Sequence, residues 1–305
     1  MYSALLPVIL TMLAGYIWQR LEPGGLDSQT VSNVLNQLLF ALFAPVLIFA
    51  VLMRAELGSE VIAIPVAGAV SIVTGILVSV AFYRLLGRMI NLSPARQGSL
   101  VLASSFANGS VALPVCMALF GEPGLKGAML FDLLATVPLI WTGGVLIAIW
   151  YSGGSLSPAG LGKEMLRLPP LWGVAAALIC KALQINVPEG ALQAAIDFGK
   201  AAIPLMVFII GLSLRLEQLR NIGLLLPAVV IRLLIAPLAG LLIGRLLGID
   251  VNELAITVVA MASASPAVGI LLAYRYQLDT ALYGATLSLT LMTYIAIAPA
   301  YKLLV

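Results

Sequence analysis

The chain alternates long apolar blocks with short clusters of charged and turn-forming residues. A helix needs about 20 mostly apolar residues to cross a bilayer. Ten blocks reach or approach that length: 3–20, 31–53, 61–86, 95–120, 125–150, 170–187, 193–214, 221–247, 253–276 and 280–304. The pattern predicts an all-α integral membrane protein with ten transmembrane helices. The first block lacks a basic leader and a small-residue cleavage site, so it reads as a retained span.

Composition agrees. Of 305 residues, 62% are hydrophobic and 10% charged, against about 25% charged in a soluble domain. The net charge of +3 is small and says nothing about nucleic acid, and no nucleic-acid partner is expected. There is no histidine, and the two cysteines, Cys116 and Cys180, lie in apolar runs. Histidine metal sites, histidine proton relays, Ser-His or Cys-His catalysis and a disulfide framework are thereby excluded. No cofactor or metal is expected. No phosphate-binding G-x-x-x-x-G-K motif is present, so ATP does not drive the chain directly.

Prolines expose an internal repeat. Pro7, Pro45, Pro65, Pro114 and Pro138 are followed, at offsets of 152 to 163 residues, by Pro170, Pro204, Pro227, Pro266 and Pro299. The tripeptide Leu-Leu-Gly at 85–87 returns at 246–248. Residues 1–150 and 170–305 therefore read as two five-helix repeats joined by a cytoplasmic linker, 151–169. Five spans is an odd number, so the second copy sits inverted in the bilayer, a device of secondary transporters. Loops after odd-numbered spans carry nine Lys and Arg: Arg20, Arg84, Arg88, Arg96, Lys163, Arg167, Arg215, Arg220 and Arg275. The other side carries six: Arg54, Lys126, Lys181, Lys200, Arg245 and Lys302. The positive-inside rule then puts both termini outside.

Two spans contain residues that interrupt a helix. The fourth, SSFANGSVALPVCMALFG from Ser104 to Gly121, breaks across Asn108, Gly109, Ser110 and Pro114. The ninth breaks across Ser263, Ser265 and Pro266. Interrupted helices in corresponding places of two halves point to a transporter binding site. Each break frees the N–H groups of a half-helix N-terminus, equivalent to roughly half a positive charge. Two such ends make an anion site without a buried cation. Asn108 can donate to a carboxylate, and Gly109 lets a ligand approach the backbone. Alternatively, these polar groups join helices and the prolines only kink them. Neither break contains an acid.

The fourth span, with AIPLMVFIIGLSL (202–214), MASASPAVGILLAYRYQLD (261–279) and the aspartate of AMLFDLLATVPLIWTGG, resembles the auxin efflux carrier family. That family includes plant auxin carriers and bacterial permeases for malate, malonate and related anions. The resemblance covers nearly the whole chain, and the short linker resembles the bacterial members. It implies a bile-acid-symporter-like elevator fold. A transport domain moves against a scaffold domain, and the substrate carboxylate sits where helices 4 and 9 cross. It also matches Asn108 to the asparagine that holds the carboxylate in the plant carriers.

Other ionisable or polar residues fall inside spans, where they are costly and commonly functional. Asp132 is a carrier of a coupling proton, or a structural acid paired with Lys126 or capping a broken helix. Arg232 contacts a substrate carboxylate, or pairs with Asp132 or with freed carbonyls. Asn33, Asn36 and Gln37 share a helical face and line an access path or pack. Asp197 and Lys200 form a gate or a solvated pair. An intramembrane protease would need two aspartates or a serine with a His or Lys base mid-span, which the chain lacks. The function expected is secondary transport of small organic anions in a bacterial inner membrane, with a homodimer implied by analogy alone. The competing readings are a sodium-coupled symporter of bile-acid type and a non-transporting sensor on the same fold.

Overall fold

The computed structural model describes residues 2–54, 58–153, 169–214 and 222–301, and every regular element among them is helical. The helices are α1 (Tyr2–Leu21), α2 (Ser28–Arg54), α3 (Glu60–Ile90), α4a (Pro94–Ser105), α4b (Gly109–Phe120) and α5 (Glu122–Ser152). After the 154–168 segment come α6 (Pro169–Ala182), α7a (Glu189–Gly199), α7b (Ala202–Ser213), α8 (Ile222–Leu246), α9a (Val251–Met261), α9b (Val268–Arg275) and α10 (Thr280–Tyr301). Most of the expected linker lies outside the described residues, as do Lys163, Arg167, Arg215, Arg220 and Lys302 of the charge count.

Eight of these helical stretches are long and apolar enough to cross a membrane. The other two blocks fall short. The sixth, expected to reach 187, ends at Ala182 because Gln184 turns left-handed (φ 54). The ninth is split into α9a, of 11 residues, and α9b, of 8. Large apolar side chains recur on the outer face of α1, at Leu6, Leu10, Leu13, Ile17 and Leu21, all exposed. Such a stripe is suited to lipid.

Prolines shape the long helices locally. A helical proline lacks the N–H for its own turn and crowds the carbonyl four residues back. Here three of them follow a widened π turn by two residues: Leu39–Phe43 before Pro45, Asp132–Thr136 before Pro138, and Ile231–Ile235 before Pro237. The wide turn closes with N–H groups that bond five residues back, Val137 to Asp132 and Ala236 to Ile231. Both ionisable residues singled out mid-span, Asp132 and Arg232, sit on such turns.

The helices form two compact units: Met1–Gly58 with Ala159–Ser213, and Ser59–Pro158 with Leu214–Val305. In the first, α1 packs on α7b, and α6 and α7a pack on α2. Glycines set these approaches. A Cβ at Gly211 would run into the Met12 carbonyl, and one at Gly173 into that of Pro45. Ala50, Leu192 and Ile196 form a small core between α2 and α7a, closed by an Arg54–Glu189 ion pair and an Arg54–Gln193 hydrogen bond of 2.9 Å. Gly211→Val should push α1 off α7b. The expected loss is about 1–3 kcal/mol, seen as a lower thermal midpoint in detergent; an unchanged midpoint would contradict this packing.

In the second unit α3 lies against the second half of α8 and against α4a, while α9a packs on α5, α8 and α4b. Ser79 of α3 meets Ser105 at the end of α4a through a 3.1 Å hydroxyl pair. Lys126 of α5 donates to Glu60 of α3 at 3.0 Å.

Candidate functional site

The fourth helix stops at Ser105 and restarts at Gly109; Phe106 and Asn108 are extended (φ −109 and −116). The ninth stops at Met261 and restarts at Val268. The two breaks are hydrogen-bonded to each other. The Asn108 N–H donates to Ser263 Oγ at 3.0 Å, and Asn108 Nδ2 donates to the Ser265 carbonyl at 2.9 Å. Ser265 Oγ donates to the Ala103 carbonyl at 2.6 Å. The breaks thus repair much of each other's lost backbone bonding, as burial demands.

What stays unrepaired is directional. Val111 and Ala112 donate back to the Asn108 carbonyl, at 3.0 and 2.8 Å, and start the first turn of α4b. The N–H groups of Gly109 and Ser110 have no acceptor among the described residues. In α9b, Gly269 donates to Pro266 and Ile270 to Ala267, at 3.1 and 3.0 Å, which leaves the N–H groups of Ala267 and Val268 without one. Each half-helix therefore presents two free donors and its positive end. Asn108 and Ser265 are buried, whereas Ser110 and Val268 are half-exposed and Ala267 is exposed. Pro114 is buried within α4b.

Arg232, on the α8 π turn, is fully buried. Its Nε donates to the Ser263 carbonyl at 2.9 Å, and its Nη2 donates to the Met261 carbonyl. The Met261 carbonyl ends α9a and the Ser263 carbonyl follows it in the break, where the helix end carries partial negative charge. Of the roles open to Arg232, the structure gives it freed carbonyls, those of the ninth helix and not those near Pro227. Nη1 is buried without a partner.

Asp132 pairs with neither Lys126, which holds Glu60, nor Arg232. Its carboxyl lies against Gly109, where a Cβ would collide with both carboxylate oxygens. No hydrogen bond or ion pair reaches that carboxyl among the described residues. The expectation that the breaks are free of acid is corrected here. The acid comes from the fifth helix, which sequence alone does not place beside the fourth.

Asn33, Asn36, Gln37, Asp197 and Lys200 belong to the first unit, while both breaks belong to the second. Asn36 Nδ2 donates to the Ser32 carbonyl at 2.9 Å, Asn33 accepts from Gln29 at 3.2 Å, and Gln37 is exposed. Asp197 accepts from Gln193 at 2.9 Å. Sequence reasoning missed the tenth helix. Tyr283 donates to the Pro266 carbonyl at 2.7 Å, Thr290 Oγ1 accepts from the Ser265 N–H at 3.1 Å, and Tyr294 donates to the Val259 carbonyl at 3.0 Å. Tyr301 donates to the Leu233 carbonyl. The signal was present: positions 283, 290, 294 and 301 are spaced by seven, four and seven, one face of a helix.

Comparison with known proteins now fixes the class. The profile of the membrane transport protein family matches residues 1–302. An uncharacterized transporter of Methanocaldococcus jannaschii is 24% identical over 296 residues, covering 94% of this chain and 93% of its own length. The chain belongs to the membrane transport protein family, the auxin efflux carriers of the sequence resemblance, and is a multi-span membrane transporter and not an enzyme.

Proposed function

We propose that the chain is a secondary active transporter of small organic anions, monocarboxylate or dicarboxylate, with the carboxylate bound where the fourth and ninth helices break. The observation that carries this reading is the set of four free N–H groups at Gly109, Ser110, Ala267 and Val268. Helix N-termini with free donors bind anions, and the low surrounding dielectric strengthens each bond. Ser110 adds a hydroxyl. Asn108 spans the two breaks, and its second amide hydrogen is available to the ligand.

Ten spans in two inverted repeats, moving as an elevator, is the architecture we infer. Its support is the way the units are composed. One takes helices 1, 2, 6 and 7, and the other helices 3–5 and 8–10, so each draws the same-numbered helices from both halves. A repeat that divides in this way gives a scaffold and a transport unit directly. Both termini outside is the orientation that the Lys and Arg distribution supports, and a bacterial inner membrane rests on the short linker's resemblance to the bacterial members. A homodimer through the scaffold rests on fold analogy. Export of an anion is assisted by a negative interior, at about 2.3 kcal/mol per charge per 100 mV, whereas import needs a coupled ion. Asp132 beside Gly109 supplies the acid that the sodium-coupled alternative requires, so a sodium arm belongs in the test.

The test is uptake of labelled malate, malonate and indole-3-acetate into proteoliposomes under a pH gradient, a sodium gradient or neither. Asn108→Ala is expected to lose at least tenfold in uptake while remaining monodisperse, its stability lower by about 1 kcal/mol for the lost bond to Ser265. Wild-type uptake in Asn108→Ala would sink the crossover site.

A further inference from the structure

We propose that Asp132 is the coupling-proton site of this carrier: its carboxylate stands beside the anion position at the N-terminus of α4b, and substrate enters that position only once Asp132 has taken up a proton. The proposal rests on the anion-site reading above and adds its gate and its coupling ion.

Three independent observations lead here. First, the place is right. The Asp132 carboxyl lies against Gly109, the first residue of α4b, within contact of the backbone whose N–H groups lack acceptors. A substrate carboxylate drawn to those donors would meet a second carboxylate beside them. Two like charges about 4 Å apart at a partly screened site repel enough to weaken binding by roughly a thousandfold. Protonation removes that repulsion and converts Asp132 from an acceptor into a hydroxyl donor toward the incoming anion.

Second, nothing else neutralises it. On its own helix, Lys126 is held by Glu60, and Glu122 lies at the first turn. On α3, the stretch against the π turn centres on Gly68, and residues 61–82 contain no ionisable side chain. On α4b the one titratable group is Cys116, whose Sγ faces the Ile256 carbonyl at 3.8 Å. Arg232 gives Nε to Ser263 and Nη2 to Met261, and its buried Nη1 reaches no partner, Asp132 included. Asp132 is half-buried.

Third, the turn that presents Asp132 leaves a second polar group unused. Threonines in this fold bond back along their own helices, Thr142 to Pro138 at 2.7 Å and Thr286 to Leu282 at 2.8 Å. Thr136 does not. It is 3% exposed, and its hydroxyl has no partner. The carbonyl four residues back, that of Asp132, accepts the Val137 N–H of the π turn and not the Thr136 hydroxyl. A buried unpartnered hydroxyl one turn from a half-buried unpartnered carboxyl suits a water through which a proton arrives and leaves.

The step conserves charge. One proton from solvent joins the carboxylate, one anion binds at the freed donors, both cross together, and both leave on the other side. Symport of one proton per anion follows.

The test uses the full chain in detergent, with malonate, malate and indole-3-acetate as probes. Indicator-dye titration in weak buffer should show one proton taken up per anion bound by wild type and none by Asp132→Asn. Above the point where Asp132 ionises, wild-type affinity should fall about tenfold per pH unit, while Asp132→Asn should hold the acid-limb affinity throughout. Infrared titration between pH 5 and 9 should show a protonated-carboxyl band that titrates in wild type and is missing from Asp132→Asn. Anion binding without proton uptake, a retained pH slope in Asp132→Asn, or sodium-dependent binding at fixed pH with no proton uptake overturns the proposal. If wild type binds none of the probes at any pH, the anion reading fails. The infrared titration still decides separately whether Asp132 exchanges a proton in this range, and a band that does not titrate overturns its role whatever the substrate.

Discussion

Replacing Arg232 by methionine should lower the stability of the detergent-solubilised protein by about 2–5 kcal/mol. Methionine is close to arginine in length and apolar, so little cavity remains. What is lost is the fork that holds the Ser263 carbonyl at 2.9 Å and the Met261 carbonyl. The Met261 carbonyl ends α9a, where helix carbonyls have no intrahelical donor, the Ser263 carbonyl lies in the break just beyond it, and both residues are buried. Each abandoned acceptor costs about 1–3 kcal/mol. Relief of the guanidinium's desolvation offsets part of this, which sets the lower bound. Arg232→Lys keeps the charge but presents a point donor in place of a planar fork. It should recover some of the stability and not all. Thermal unfolding of the three proteins, followed by tryptophan fluorescence, gives the ranking. It also separates the two roles the sequence leaves open. A capping arginine loses stability first and transport as a consequence. A substrate-binding arginine would lose anion affinity with the thermal midpoint unchanged, and that outcome would return Arg232 to the ligand.

The sequence showed which helices break and could not show what meets at the breaks. Asn108, Gly109 and Pro114 in one half and Ser263 to Pro266 in the other are helix-terminating residues inside apolar blocks, a local property that one dimension records. The structure places the ninth break at those positions, but the fourth lies at Phe106 to Asn108, so Gly109, Ser110 and Pro114 belong to the restarted helix α4b. Partnerships are non-local. Asp132 reads as one isolated acid, with Lys126 six residues away as its nearest cation, yet Lys126 turns to Glu60 and Asp132 to Gly109. Side-chain direction inverted that reading, and the π turn set the direction. Asp132 stands six positions before Pro138 and Arg232 five before Pro237, each on a π turn, yet Pro65, Pro114 and Pro227 lie inside helices with no such turn before them, so the prolines alone do not mark it. The ninth span is too short to count as one membrane-crossing helix because Ala262 to Ala267 forms none, in the stretch where Ser263, Ser265 and Pro266 mark the break. The tenth helix was overlooked. Its tyrosines and Thr290 look like ordinary span residues until their hydroxyls are seen on the carbonyls and N–H groups of the ninth break.

Gly109→Ala should abolish transport through the addition of one methyl group. By propensity alone the change favours the helix, since glycine costs about 1 kcal/mol relative to alanine in a helix interior. Packing opposes it. The new Cβ would occupy the space of the Asp132 carboxyl, which is fixed on a π turn backed by Phe131 and Ala135 against Gly68. Either the carboxyl swings away from the α4b N-terminus or α4b shifts from the break. Overpacking of this kind costs about 1–3 kcal/mol, more than the propensity gain across most of that range. The double variant distinguishes steric from electrostatic causes. Asp132→Ala in the Gly109→Ala background removes the collision and should restore the thermal midpoint, a coupling of about 1 kcal/mol or more between the two sites. It should not restore proton-coupled uptake, because the proton site has gone with the carboxyl. Recovery of stability without recovery of coupled transport is the result that assigns Gly109 to space and Asp132 to charge. Full activity in Gly109→Ala alone would mean that carboxyl and backbone are not held in contact, and the gate described for this site would have no structural basis.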